Sequence, residues 1–161
     1  MTRRKLLIEA LSYPYKEREK VVGQYKVRQE LSAFDEFPAN SQFFDLRDQF
    51  QILLEEKLRK ALNFNDLSLQ KYKPFSLGIT PHMDGRSIIN LVCVFVLKGN
   101  GRFCLCEDRD GKNAIELDST PGNVILMSAP GFNGANFRPF HFVSDIKDLR
   151  ITFGLRQKAP R

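Results

Sequence analysis

Tryptophan is absent from this chain of 161 residues, histidine occurs twice and cysteine three times. Each scarcity narrows what the protein can be. A metal site built on imidazole has only His82 and His141 to draw on. Cys93, Cys104 and Cys106 are an odd number in a sequence without a secretory signature, so a reducing cytoplasm is the natural setting. The C-x-C spacing of Cys104 and Cys106 differs from the C-x2-C of zinc sites and reads as packing within a strand. No apolar run is long enough to cross a bilayer, since Ile88 to Leu97 is interrupted by Asn90, and no membrane partner is expected. The opening "MTRRKLLIEALSYPYKEREK" returns to charge at once and offers no small-residue cleavage site, so it does not read as a signal peptide. The glycine-rich "APGFNGAN" lacks the following helix and lysine of a phosphate loop and reads as a flexible rim loop at the mouth of a site, with Phe132, Phe137 and Arg138 as candidate substrate contacts. Repeats, low-complexity tracts and linkers are missing too, and the expectation is one domain over residues 1–161.

What is present is a globular composition, 42% hydrophobic and 27% charged. The net charge of +6 sits at the ends. Residues 1–30 carry eight Lys/Arg against four Glu, and residues 137–161 carry six against two Asp. Basic ends around a near-neutral middle suit an anionic partner such as nucleic acid, and a merely solvated surface accounts for them equally well.

Two textures divide the chain. From Phe43 to Leu62 apolar residues recur every three or four positions, which predicts an amphipathic helix capped by Asn40 or Ser41. Shorter helices are expected over residues 4–11 and 17–31. After Asn63, segments rich in Val, Ile, Phe and Cys alternate with the turn signals "KGNG", "DRDGKN", "TPGN" and "APGFNG". Strands are expected over 68–72, 88–97, 102–107, 114–117, 124–128, 141–143 and 149–155. The class is α+β, mainly β: a mainly helical part over 1–66 backing a β-sandwich or jelly roll over 67–157.

The stretch "GITPHMDGRSIINLVCVF" places His82 two residues before Asp84. On an extended segment positions i and i+2 face the same way, so both side chains can reach one ion. His141, in "FRPFHFVSDI", opens a predicted strand that can supply a third ligand. Two histidines and a carboxylate are the ingredients of a facial triad for non-haem Fe(II), which leaves positions for a co-substrate and dioxygen. Taken alone, the pattern also fits two unrelated histidines. Of the neighbours, Arg86 reads better as the partner of an acidic residue than as a substrate contact. Asn90 reads as a structural hydrogen bond in a buried strand.

Arg150 follows His141 by nine residues, and Arg156 follows Arg150 with five residues between. With His-x-Asp and the distant His, this pattern resembles the 2-oxoglutarate/Fe(II) dioxygenases, and within them the AlkB-like branch. The likeness covers about Leu67 to Gln157. It implies a double-stranded β-helix (jelly-roll) core and an enzyme holding Fe(II) on His82, Asp84 and His141, with 2-oxoglutarate and dioxygen as co-substrates. It further implies that Arg150 forks onto the far carboxylate of 2-oxoglutarate. Tyr72, ten residues before His82 in "LQKYKPFSLGITPHMD", would hydrogen-bond the co-substrate, and Arg156 would sit near its metal-chelating end. The branch's asparagine falls on Gln70, a longer amide. A carboxylate at Asp84, where related halogenases have a small residue, favours hydroxylation or demethylation.

The substrate is left open between three readings. One is AlkB-like oxidation of a nucleobase, with Tyr13, Tyr15, Tyr25, Phe34 and Phe37 as a stacking lid or as core. The second is hydroxylation of a small molecule or a protein side chain. The third is a binding module of the same fold without activity.

Overall fold

A computed structural model describes residues 1–160. In chain order it contains α1 (Arg3–Ser12), β1 (Lys16–Glu17), β2 (Val21–Val22), β3 (Val27–Glu30), β4 (Ser32–Phe34), α2 (Gln42–Leu58), β5 (Asp66–Tyr72), β6 (Gly78–His82) and β7 (Ile88–Lys98). There follow β8 (Arg102–Cys106), β9 (Ile115–Leu117), β10 (Val124–Ser128), a 3-10 turn at Phe132–Gly134, β11 (Phe140–Ser144) and β12 (Arg150–Lys158). Two six-stranded sheets result, ordered β1-β4-β5-β12-β7-β10 and β2-β3-β6-β11-β8-β9. From β5 onward successive strands alternate between the sheets, except that β8 and β9 pair with each other in the second, and every pairing is antiparallel. This is the expected double-stranded β-helix.

The helix expected over residues 17–31 is wrong. Val21, Val22 and Val27 flank the turn "GQYK", in which Gly23 and Lys26 take the left-handed φ of +70° and +50°. β-branched residues around a turn that needs positive φ form a hairpin rather than a helix. One long hairpin runs from Lys16 to Phe34 and crosses between the sheets: β1 pairs with β4 in the first, β2 with β3 in the second. The part before residue 67 therefore extends both sheets as well as supplying two helices, which at 10 and 17 residues remain its longest elements.

Both helices lie where their apolar stripes can be buried. Thr2 caps α1, and Ser41 caps α2 by accepting from the Phe43 backbone N–H. The helix stops at Leu58, four residues early, because Arg59 turns left-handed. Leu6 and Ala10 of α1, with Phe43 and Leu54 of α2, pack on Leu69, Cys93, Phe95, Ile151, Phe153 and Leu155 of the first sheet. Each large side chain fully buried in this cluster contributes about 1.5–3 kcal/mol. Tyr13, Phe34 and Phe37 belong to the same aromatic core: Tyr13 stacks on Phe34 at 4.0 Å, and Phe37 meets the Phe153 ring at 6.0 Å. These aromatics are core, not lid. A second cluster, with Tyr72, Ile79, Val92, Phe103, Met127 and Val143, fills the space between the sheets.

The three cysteines are free, with Cys93 and Cys104 buried. No helix among the described residues is long and apolar enough to cross a membrane.

Candidate metal centre

Strands β6 and β11 are antiparallel neighbours whose register sets His82 opposite His141. Their rings lie 4.3 Å apart, centroid to centroid. Asp84, just past the end of β6, brings Oδ1 to 3.9 Å from Nε2 of His141. The two-residue spacing does what period-two geometry demands: Met83, between the ligands, is 39% exposed, while the Asp84 side chain is only 15% exposed. One ligand atom from each of the three residues lies within 4.8 Å of the other two.

Backbone carbonyls orient both rings. Nδ1 of His82 is 2.9 Å from the carbonyl oxygen of Thr80, and Nδ1 of His141 is 3.2 Å from that of Pro139. A carbonyl only accepts, so each Nδ1 carries a proton and each Nε2 is the nitrogen left to face the other two residues. Burial, reinforced by the neighbouring His141, pushes His82 down to about 4, which keeps it neutral at physiological pH. The Phe103 ring lies nearly parallel to His141 at 5.7 Å and holds it from the side. Two imidazoles and a carboxylate on one face form the donor set of non-haem Fe(II).

The cavity in front of them, about 250 Å³, is lined by Ser68, Gln70 and Tyr72 from β5 and Arg150, Thr152, Gly154 and Arg156 from β12. All seven site residues expected from the sequence therefore face one space. Arg150 is 0% exposed. Its Nη1 donates to the carbonyls of Gly99 at 3.3 Å and Ser119 at 3.4 Å, while Nε and Nη2 are buried without a partner. Burial lowers its pKa from the ordinary arginine value, partly offset by Tyr72, so an anion in the cavity would restore what desolvation takes away. A buried guanidinium with two unmet donors has the geometry to take a carboxylate in a two-point pair.

Tyr72 faces Arg150 across the β5–β12 pair, and its hydroxyl donates to Oε1 of Gln70 at 3.0 Å. Burial pushes the Tyr72 hydroxyl up to about 12, so it remains a donor. Arg156 stands apart from Arg150. Its Nε lies 3.1 Å from an Asp66 carboxylate oxygen, Nη2 donates to the Ser68 hydroxyl at 2.7 Å, and Nη1 lies 3.9 Å from Asp84. It stands beside Asp84.

Other residues singled out fall elsewhere. Arg86 is exposed and forms none of the ion pairs found among the described residues; its carbonyl accepts from Arg138. Asn90 donates to Gln157 at 2.9 Å, the structural role expected of it. Phe132 packs against the helix-side core instead of the cavity, and Phe137 is 59% exposed. Arg138 hydrogen-bonds the carbonyls of Arg86 and Ile88. Thr80, Phe103, Asp66 and Ser68 were not picked out from the sequence. Ser68 was within reach, since it continues the alternation Gln70, Tyr72; the contact of Phe103 with His141 depends on strand pairing and leaves no local signal.

A search for family models and for related curated proteins finds no match. Solved structures do match. A prolyl hydroxylase from Trichoplax adhaerens, in complex with a hypoxia inducible factor oxygen degradation domain peptide, superposes with a TM-score of 0.69 at 13% identity, over 96% of this chain and 75% of that one. An oxidoreductase of the 2OG-Fe(II) oxygenase family from Burkholderia pseudomallei gives 0.69 at 14% identity, over 93% and 76%. The viral collagen prolyl hydroxylase of Paramecium Bursaria Chlorella virus-1, in a 2OG complex, gives 0.61 at 15% identity, over 100% and 92%. At such identities the likeness establishes the fold, the double-stranded β-helix of these oxygenases.

Proposed function

We propose that this protein is an Fe(II)- and 2-oxoglutarate-dependent dioxygenase that hydroxylates a side chain of a protein or peptide. One observation carries the reading: a convergent His82–Asp84–His141 set shares a cavity with a fully buried arginine whose remaining donors have no partner. The residues fit the groups. His82, Asp84 and His141 would hold the metal, and Arg150 would take the distal carboxylate of 2-oxoglutarate in a two-point, charge-assisted pair. Tyr72 and Gln70 add a donor and an amide beside it, and Arg156 steadies Asp84. Iron, 2-oxoglutarate and dioxygen together supply oxidation of a substrate C–H to C–OH, with succinate and CO2 as co-products. The chain orients these groups and keeps bulk water out with Ile79, Val92, Phe103, Met127 and Val143. Three free cysteines fit a reducing, cytoplasmic setting.

The substrate reading rests on what surrounds the cavity. A hollow of about 370 Å³ shares Gln29, Ser68, Gln70, Gly85 and Arg156 with it. The cations there are taken: Arg18 pairs with Asp35 at 3.2 Å, and Lys158 and Arg156 both pair with Asp66. A mouth whose cations are all engaged by carboxylates suits a polypeptide better than a phosphate chain, whose binding needs cations with counterions to release. Of the basic start, Arg3, Arg4 and Lys5 lie on α1, which packs on the sheet face opposite the cavity, and Arg18, on the hairpin, is already paired with Asp35. The nucleobase reading loses four of its five stacking residues as well, since Tyr13, Tyr15, Phe34 and Phe37 pack in the helix-side core, while Tyr25 stays exposed with the Arg109 guanidinium 3.7 Å over its ring. Two of the similar structures are prolyl hydroxylases, one of them with a peptide bound.

The test is succinate release from 2-oxoglutarate by purified protein with Fe(II), with and without candidate proline-containing peptides. Wild type should require Fe(II), and His82→Ala should abolish turnover. Release that persists in His82→Ala would remove the metal reading. Stimulation by oligonucleotides and not by peptides would restore the nucleobase.

A further inference from the structure

The turns "KGNG" and "TPGN" read as punctuation in the sequence, yet both close behind Arg150. Gly99 in the first and Ser119, just before the second, supply the carbonyls that receive Nη1 of Arg150. The Ser119 hydroxyl donates to the carbonyl of Gly101 at 2.9 Å and ties the two turns together. Close approach explains the glycines. Gly99 has φ +86°, and a Cβ there would stand 2.3 Å from the Leu149 carbonyl oxygen and 2.7 Å from Cα of Arg150. At Gly101 a Cβ would press on Cδ of Arg150 at 3.2 Å and Nε at 3.4 Å. Arg150 lines the cavity and Gly101 does not, so such a Cβ would push the side chain from behind.

We propose that Gly101 and Ser119 are positioning residues that set how far Arg150 reaches into the cavity, and through it the length of dicarboxylate that the site accepts. The proposal rests on Arg150 as the carboxylate anchor. The metal end of the site is fixed by β6 and β11, while the guanidinium end is fixed by this backing, so the span between them acts as a ruler. Bidentate pairing depends on geometry, and a displacement of a few tenths of an ångström at one end changes which chain length can bridge both.

The experiment is calorimetric titration of the full chain loaded with Mn(II), which allows binding to be read without turnover. The probes are 2-oxoglutarate and oxaloacetate, one methylene shorter. Wild type should bind 2-oxoglutarate only when Mn(II) is present, and in preference to oxaloacetate. Gly101→Ala should weaken 2-oxoglutarate roughly tenfold and move the preference toward oxaloacetate, with Mn(II) affinity unchanged. Ser119→Ala, which adds no atoms, should loosen the backing and flatten the preference. If Gly101→Ala does not fold by circular dichroism, Ser119→Ala alone decides. A ratio of the two affinities that matches wild type in every folded variant overturns the ruler and leaves the anchor standing. If wild type with Mn(II) does not bind 2-oxoglutarate, the anchor itself fails, and the ruler with it.

Discussion

Strand β12 has two faces that follow opposite rules. Ile151, Phe153 and Leu155 point toward the helices and are each 0% exposed, inside one continuous apolar cluster. Arg150, Thr152, Gly154 and Arg156, interleaved with them, point into the cavity. On the first face every group has found its partner. On the second a guanidinium is buried with two donors unmet. The contrast separates a face built for stability from a face that keeps unmet polar groups: the helix-side face supplies rigidity, and the cavity face holds donors with room for a ligand.

Truncating the helix-side face should produce the largest effect. Phe153 touches Phe37, Phe43 and Phe95 through its ring and has no room to be replaced by water. Phe153→Ala should destabilise the fold by about 3–5 kcal/mol in urea unfolding. A loss below about 1 kcal/mol would mean that this face is not the stabilising one. The cavity face should behave in the opposite way. Arg150→Met removes a buried cation with unmet donors and keeps much of the volume, so stability without ligand should be unchanged or raised by about 1 kcal/mol. Binding of 2-oxoglutarate to the Mn(II) form should nonetheless fall by at least 100-fold, the order of one charge-assisted bidentate pair. A stability loss comparable to that of Phe153→Ala would show that the two faces are not distinct after all.

Much of this division was legible in the sequence because alternation is a local property. Period two places Arg150 and Arg156 on one side and Phe153 on the other before any partner is known, and the same rule joins His82 to Asp84. Strand β10 falls at Val124–Ser128 as expected, bounded by "TPGN" and "APG". Legibility failed where structure depends on residues distant in the chain. The hairpin from Lys16 to Phe34 reads as a weak helix because its valines are few. Its strands become strands by pairing with β5 and β6, between 35 and 50 residues later. The resting place of Arg156 was hidden for the same reason. Its partner Asp66 is 20% exposed and ninety residues away, and nothing near Arg156 in the chain names it.

The smallest test concerns how the helices are fastened over the helix-side face. Glu9 of α1 accepts from the Tyr13 hydroxyl at 2.5 Å, the Ser41 hydroxyl at 2.5 Å, and the backbone and side-chain amides of Gln42 at 3.1 and 3.0 Å. It therefore joins α1 to the N-terminus of α2, where a negative charge also suits the helix dipole. Burial alone would raise its pKa, but the hydrogen bonds from Ser41, Tyr13 and Gln42 outweigh burial and hold the carboxyl below its ordinary value. The sign follows from linkage. A carboxyl whose folded pKa lies below its unfolded one stabilises the fold fully above the unfolded value, about 4.5, and loses that contribution as pH falls through the folded value. Glu9→Gln should therefore cost about 1–2 kcal/mol at pH 7. The difference from wild type should shrink between about pH 5 and pH 3, measured by thermal melts across that range. A penalty that stays constant with pH would show that Glu9 acts through shape and not charge, and the fastening of α1 to α2 would have to be sought in the Tyr13–Phe34–Phe37 stack instead.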